Sequence, residues 1–148
     1  MKDFFGKLAK AKGSGSSDIV EKDYHLHRTL YRISQDEYLK GNLVFKGGTC
    51  LVKAYAGYYR FSEDIDFYWK HGTNLEGKSK NEMSAVCSAE ITTLVSAFKG
   101  ISEGLGFPFH GDKANTEEVH ISSGGRMVDL NLRYKSEVSG LPTKIKIQ

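Results

Sequence analysis

Cysteine is scarce in this 148-residue chain, with only Cys50 and Cys87. Neither stands in a Cys-x-x-Cys spacing, so no disulfide framework is implied and both read as small core residues of a reduced, cytoplasmic protein. Long apolar runs are missing as well. Met1 to Gly13 mixes lysines with Phe4, Phe5 and Leu8 and has no continuous apolar stretch of a signal peptide, and no later segment is apolar for long enough to span a bilayer. Charge of one sign is not in excess: 21 Lys and Arg face 18 Asp and Glu, a formal net charge of +3. That balance neither requires nor excludes a nucleic-acid partner. The histidines offer no metal pair, because His25 and His27 are two apart on an expected helix and face different directions. His71, His110 and His120 have no cysteine or acid at ligand spacing, and no serine or cysteine sits in a nucleophile elbow. No internal repeat is present.

What the chain does contain is a glycine turn followed by paired carboxylates. Leu43-Val44-Phe45-Lys46-Gly47-Gly48-Thr49 reads as a short buried strand, a sharp turn, and a helix running from Thr49 through Tyr55 with Leu51, Val52 and Tyr55 on its apolar side. Backbone N–H groups at that helix start, with the positive end of its dipole, suit a phosphate. The spacing is not that of a Walker loop, and the third glycine of a dinucleotide fingerprint is absent. Downstream lies Arg60-Phe61-Ser62-Glu63-Asp64-Ile65-Asp66-Phe67. On a strand, Asp64 and Asp66 project to one face and Ile65 and Phe67 to the other. Two carboxylates about 6–7 Å apart repel by roughly 2–3 kcal/mol at an effective dielectric near 20. A hard divalent cation removes that cost, because it takes one or two carboxylates together with substrate phosphates. Taken alone, an Asp-x-Asp pair is more often a solvated strand face, here with Arg60 as counter-ion; the glycine turn is what raises the metal and nucleotide reading.

The rest of the chain supplies walls for such a site. Gly13-Ser14-Gly15-Ser16-Ser17 makes residues 1–17 a flexible N-terminal segment ahead of one domain spanning 18–148. Asp18-x-x-Glu21 reads as a capping box for a helix reaching about Lys40, where Gly41-Asn42 ends it. A second helix is expected from about Asn81 to Glu103, where Met83, Val86, Ile91, Leu94, Val95, Phe98 and Ile101 recur at helical spacing. Val119 to Ser122 and Met127 to Tyr134, joined across Ser123-Gly124-Gly125, form an expected hairpin with Val128, Leu130 and Leu132 on one face and Asp129, Asn131 and Arg133 on the other. Thr143 to Gln148 alternates as a final strand. A chain ending in a strand suggests a fragment whose helical C-terminal part is missing.

Strand, Gly-Gly, short helix and a strand bearing Asp-apolar-Asp resembles the nucleotidyltransferase superfamily related to polymerase β. More closely, Phe45-Lys46-Gly47-Gly48-Thr49, Lys53-Ala54-Tyr55 and Arg60-Phe61-Ser62-Glu63-Asp64-Ile65-Asp66 resemble the AbiEii/AbiGii toxin family, as does Glu21-Lys22-Asp23-Tyr24; the likeness is strong from Val20 to Phe67. It implies an α+β (α/β) nucleotidyltransferase fold, a mixed or antiparallel sheet flanked by helices. It also implies an enzyme of a toxin–antitoxin or abortive-infection system, moving a nucleoside monophosphate from an NTP to an RNA, such as tRNA, or to a protein. Asp64 and Asp66 would hold Mg²⁺, with Mn²⁺ as the alternative, and a cognate antitoxin would be a partner. Gly47, Gly48 and Thr49 would seat the triphosphate; Lys53 and Arg60 would neutralise phosphate oxygens, or act as surface charge or pair with Glu63, and Ser62 would contact the same edge. Lys146 would be catalytic by alignment with the family's Lys-apolar-acid strand. In that alignment Gln148 occupies the third-acid position, and Asp129 is the other candidate as well as an ordinary exposed strand acid. Glu63 would be structural, while Tyr58 and Tyr59 would either stack on a base or pack inward. An inactive nucleotide sensor, or an interaction module on the same scaffold, is the competing function.

Overall fold

The structure is a computed structural model that describes residues 1–56, 61–70 and 75–148. Tyr58, Tyr59, Arg60 and His71 therefore lie outside the described residues.

The N-terminal stretch expected to be flexible carries helix α1, Lys2–Ala11. Its apolar side is short but well covered: Phe5 is fully buried and Ala9 nearly so, packed with Val20, Tyr24, Phe61 and Val138 in a small second core. Helix α2, Ser17–Gln35, is capped by Ser16, whose Oγ accepts from the Ile19 N–H at 3.4 Å. The expected capping box at Asp18 and Glu21 is not formed, because Glu21 is drawn instead into the interior, as described below. One long helix to Lys40 was expected here. The chain breaks at Asp36, which adopts an extended conformation (φ −85°, ψ 116°) and caps a separate helix α3, Glu37–Asn42, by accepting from the Leu39 N–H at 2.9 Å. An Asp side chain can satisfy N–H groups only from outside a helix, and that local bond prevails over the continuous apolar stripe.

Strand β1, Leu43–Lys46, leads directly into the short helix α4, Gly47–Cys50, and a π-helical turn, Leu51–Tyr55. Strand β2 is Asp64–Trp69. Helix α5, Lys80–Leu105, overruns the expected limits slightly. Ser79 and Glu82 close a reciprocal capping box at its start, and Gly106 ends it in the left-handed region at φ 75°. Strand β3, Val119–Ser122, and strand β4, Met127–Lys135, form the expected hairpin, and β5 is Pro142–Ile147.

The five strands lie in the order β1-β2-β5-β4-β3, with β2 and β5 parallel and the other neighbours antiparallel. This is the mixed sheet flanked by helices that the sequence implied. Its apolar face buries Ile65, Leu130, Leu132, Ile145 and Ile147 against Leu26 and Ile33 of α2 and Ile91, Val95 and Phe98 of α5. Cross-strand neighbours share a face. The register of Asp64 with Lys146, and of Lys146 with Asn131, therefore gathers the polar side chains of β2, β5 and β4 on the opposite face. Of the cysteines, Cys87 is buried as expected and Cys50 is half-buried; both are free thiols.

Candidate functional site

The site begins at the end of β1. Lys46 is extended and Gly47 turns the chain with φ +76°, a conformation that costs glycine least. Gly47 also lies directly beneath the Asp66 side chain: a Cβ there would overlap the carboxylate. The glycine turn and the second acid are thus in contact. Thr49, almost fully buried, donates its hydroxyl to the backbone carbonyl of Asp64 at 2.6 Å, tying the helix start to the first residue of β2.

Asp64 and Asp66 are half-buried, as strand alternation requires, with the fully buried Ile65 between them. Among the described residues neither carboxylate takes an ion pair or a side-chain hydrogen bond. Their cross-strand neighbours are basic: Lys46 stands beside Asp66 and Lys146 beside Asp64. Two adjacent carboxylates that take no direct partner among the described residues present oxygen donors of the kind a hard cation prefers. Among the described residues no cluster of three or more His, Cys, Asp or Glu could hold a metal.

Asp129 does not join them. Its Oδ2 accepts an ion pair from Lys146 Nζ at 3.1 Å and its Oδ1 accepts a hydrogen bond from Gln148 Nε2 at 3.2 Å. Lys146, Gln148 and Asp129 therefore make one connected row on the polar face, next to Asp64 and Asp66. The backbone of Gln148 is fixed to β2 on both sides, donating to Ile65 O at 2.9 Å and accepting from Phe67 N at 2.7 Å. A cleft of about 580 Å³ opens beside this row, between the sheet and α5. Phe67, Trp69, Leu94 and Val128 contribute apolar walls, and Asp66 and Gln148 also line it.

Lys53, in the π-helical turn, does not reach toward the acids of β2. Its ammonium meets Asp23 Oδ1 at 2.8 Å, and both side chains are less than one-tenth exposed. Ser62 is buried, and its Oγ has no hydrogen-bond partner among the described residues. Glu63 pairs with Lys22 at 3.0 Å, in keeping with a structural role. Arg60 lies outside the described residues. The Asp23–Lys53 pair had no signal in the sequence beyond the likeness of the Glu21-Lys22-Asp23-Tyr24 segment, since its two members lie 30 positions apart.

The comparison with protein families gives one match: the family described as nucleotidyl transferase AbiEii toxin, type IV toxin–antitoxin system, matches residues 28–148. No curated protein and no solved structure matches the chain. The matched region contains the glycine turn, the paired aspartates of β2 and the Lys146 strand, so the features joined by geometry are those spanned by the family. The chain belongs to the AbiEii toxin family of nucleotidyltransferases.

Proposed function

We propose that this chain transfers a nucleoside monophosphate from an NTP to an RNA acceptor, with tRNA the first candidate and a protein the alternative. The observation that carries this reading is the Asp64 and Asp66 pair, without an ion pair or side-chain hydrogen bond among the described residues, with Asp66 packed against Gly47. When bound, Mg²⁺, or Mn²⁺ in its place, would neutralise the nucleotide phosphates and the charge developing on the attacking and leaving oxygens. Asp64 and Asp66 would hold that ion on a rigid strand. Backbone N–H groups at Gly47, Gly48 and Thr49 would orient the triphosphate, and the Thr49 hydroxyl would serve by locking the turn to Asp64. Lys146, one strand away from Asp64, would counter negative charge as the α-phosphate is attacked. Arg60, Ser62 and Lys53 complete the proposed phosphate edge, Lys53 only if it exchanges Asp23 for phosphate.

A second reading has its own observation. Gln148, an amide, faces Asp129 where a third acid would be expected, and an amide cannot take the proton of an attacking hydroxyl. A chain that binds the nucleotide without transferring it would act as a sensor. Family membership also brings a cognate antitoxin as the expected partner, and free thiols fit a cytoplasmic setting. Among the described residues no helix is long and apolar enough to cross a membrane.

Both readings are separated by incubating the chain with each labelled NTP, total tRNA and Mg²⁺. Label in RNA or protein supports transfer. Binding of Mg²⁺ and nucleotide without label supports the sensor.

A further inference from the structure

Three consecutive residues of α2 grip three separate segments of the site. Glu21, almost fully buried, accepts from Ser136 Oγ at 2.5 Å and from the Glu137 N–H at 2.7 Å, holding the turn that feeds β5 and its Lys146. Lys22 pairs with Glu63, immediately before β2. Asp23 accepts at a single oxygen from Lys53 Nζ at 2.8 Å and from the Ser62 N–H at 3.4 Å. Successive helical residues point about 100° apart, so one turn can reach three directions. Asp23 is the centre of this arrangement, because its two partners flank the site: Lys53 follows the Gly47–Thr49 turn, and Ser62 leads into Asp64.

We propose that Asp23 is a positioning residue, holding the glycine turn and the Asp64–Asp66 strand in register through Lys53 and Ser62. The proposal rests on the nucleotidyltransferase reading for its catalytic consequence. The ladders with β1 and β5 fix β2 from Asp64 onward, whereas Ser62, which leads into it, lies outside those ladders and takes its backbone bond from Asp23. Thr49 secures the turn to β2 from one side; Asp23 secures both from the other. Phe61, packed in the small core against α1, keeps the lead-in segment close to α2.

The test compares wild type with Asp23→Asn, Asp23→Ala and the double variant Asp23→Ala/Lys53→Met, which removes both charges should the single alanine fail to fold. Two quantities are measured: labelled-nucleotide transfer, and amide hydrogen exchange in the free protein. A small displacement of reacting groups costs up to about a hundredfold in rate, so Asp23→Ala should lower kcat to that order while KM for the NTP changes little; the double variant, which also removes Lys53 from the phosphate edge, is read by exchange. Asp23→Asn, which keeps an acceptor, should retain more activity than Asp23→Ala. Exchange at residues 61–66 and 47–50 should accelerate about tenfold while the middle of α5 stays unchanged. Wild-type kcat together with unchanged exchange at those segments in the folded variants overturns the proposal. A large rise in KM with unchanged kcat also overturns it, since that would make the pair a nucleotide contact. Should wild type transfer no nucleotide, the catalytic reading fails, and the exchange measurement alone decides whether Asp23 holds the two segments.

Discussion

Gly47 has the least freedom to change of any residue near the acids. Its φ of +76° strains any other side chain, and a Cβ would collide with the Asp66 carboxylate. Gly47→Ala should cost about 1–3 kcal/mol of stability through backbone strain, and should weaken Mg²⁺-dependent nucleotide binding more than it lowers the melting temperature; calorimetric titration beside a thermal melt checks both. His25 supplies a different residue-scale expectation. It sits among Tyr24, Phe107 and Tyr134, with ring centroids 4.3–5.6 Å apart across the cluster, and its Nδ1 has no partner among the described residues. Burial, assisted by Arg28, holds its pKa below the ordinary 6.5. The unfolded chain then binds a proton that the folded chain refuses, so stability is full above about pH 6.5 and falls as the pH drops below it. Urea midpoints should decline between pH 7.5 and pH 5.5 in wild type and decline less in His25→Phe. Much of the placement at this scale was legible: Asp64 and Asp66 on one face of a strand and Gly47 in a tight turn follow from alternation and turn chemistry. Asp23 was not, because its partners Lys53 and Ser62 lie 30 and 39 positions away and no local period connects them.

Among the elements, α5 owes its sharp start to the reciprocal bonds of Ser79 and Glu82, and the Ser79 bonds keep the exposed Glu82 carboxyl below its usual pKa. Ser79→Ala should lower stability by about 1 kcal/mol, readable as a shifted denaturant midpoint with an unchanged slope. Strand β5 carries the more informative substitution. Gln148→Glu would place a carboxylate beside Asp129 and close to the Asp64–Asp66 strand, exchanging a donated hydrogen bond for like-charge repulsion. If the missing acid limits transfer, Gln148→Glu should raise kcat, most clearly at high pH where the new group is ionised; a fall in labelling would show that the amide suits the site better. Helix α5 and the β3–β4 hairpin were visible in advance because their periods are long and their turn residues explicit. The break at Asp36 was hidden, since a single capping side chain interrupts an apolar stripe that continues on both sides. Helix α1 was hidden for the opposite reason: it is too short to announce itself by period, and it is held by Phe5 packing on Val20, Tyr24 and Phe61.

At the scale of the whole molecule, the sheet divides labour between its faces. One face is a core of aliphatic side chains pressed on α2 and α5; the other sets Lys46, Asp66, Asp64, Lys146, Gln148 and Asp129 side by side across strands β1, β2, β5 and β4. The alternation that buries Ile65 is the same alternation that presents Asp64 and Asp66, so fold and site come from one pattern. Family membership fits that arrangement, and in the proposed reaction the two aspartates carry the transfer chemistry. The direct measurement is the rate of labelled-NMP transfer by Asp64→Asn and Asp66→Asn, each first shown to melt like wild type. Each variant should lose about a hundredfold or more, in line with removal of electrostatic stabilisation from a transition state. Labelling at the wild-type rate by both variants would contradict that role of the aspartates.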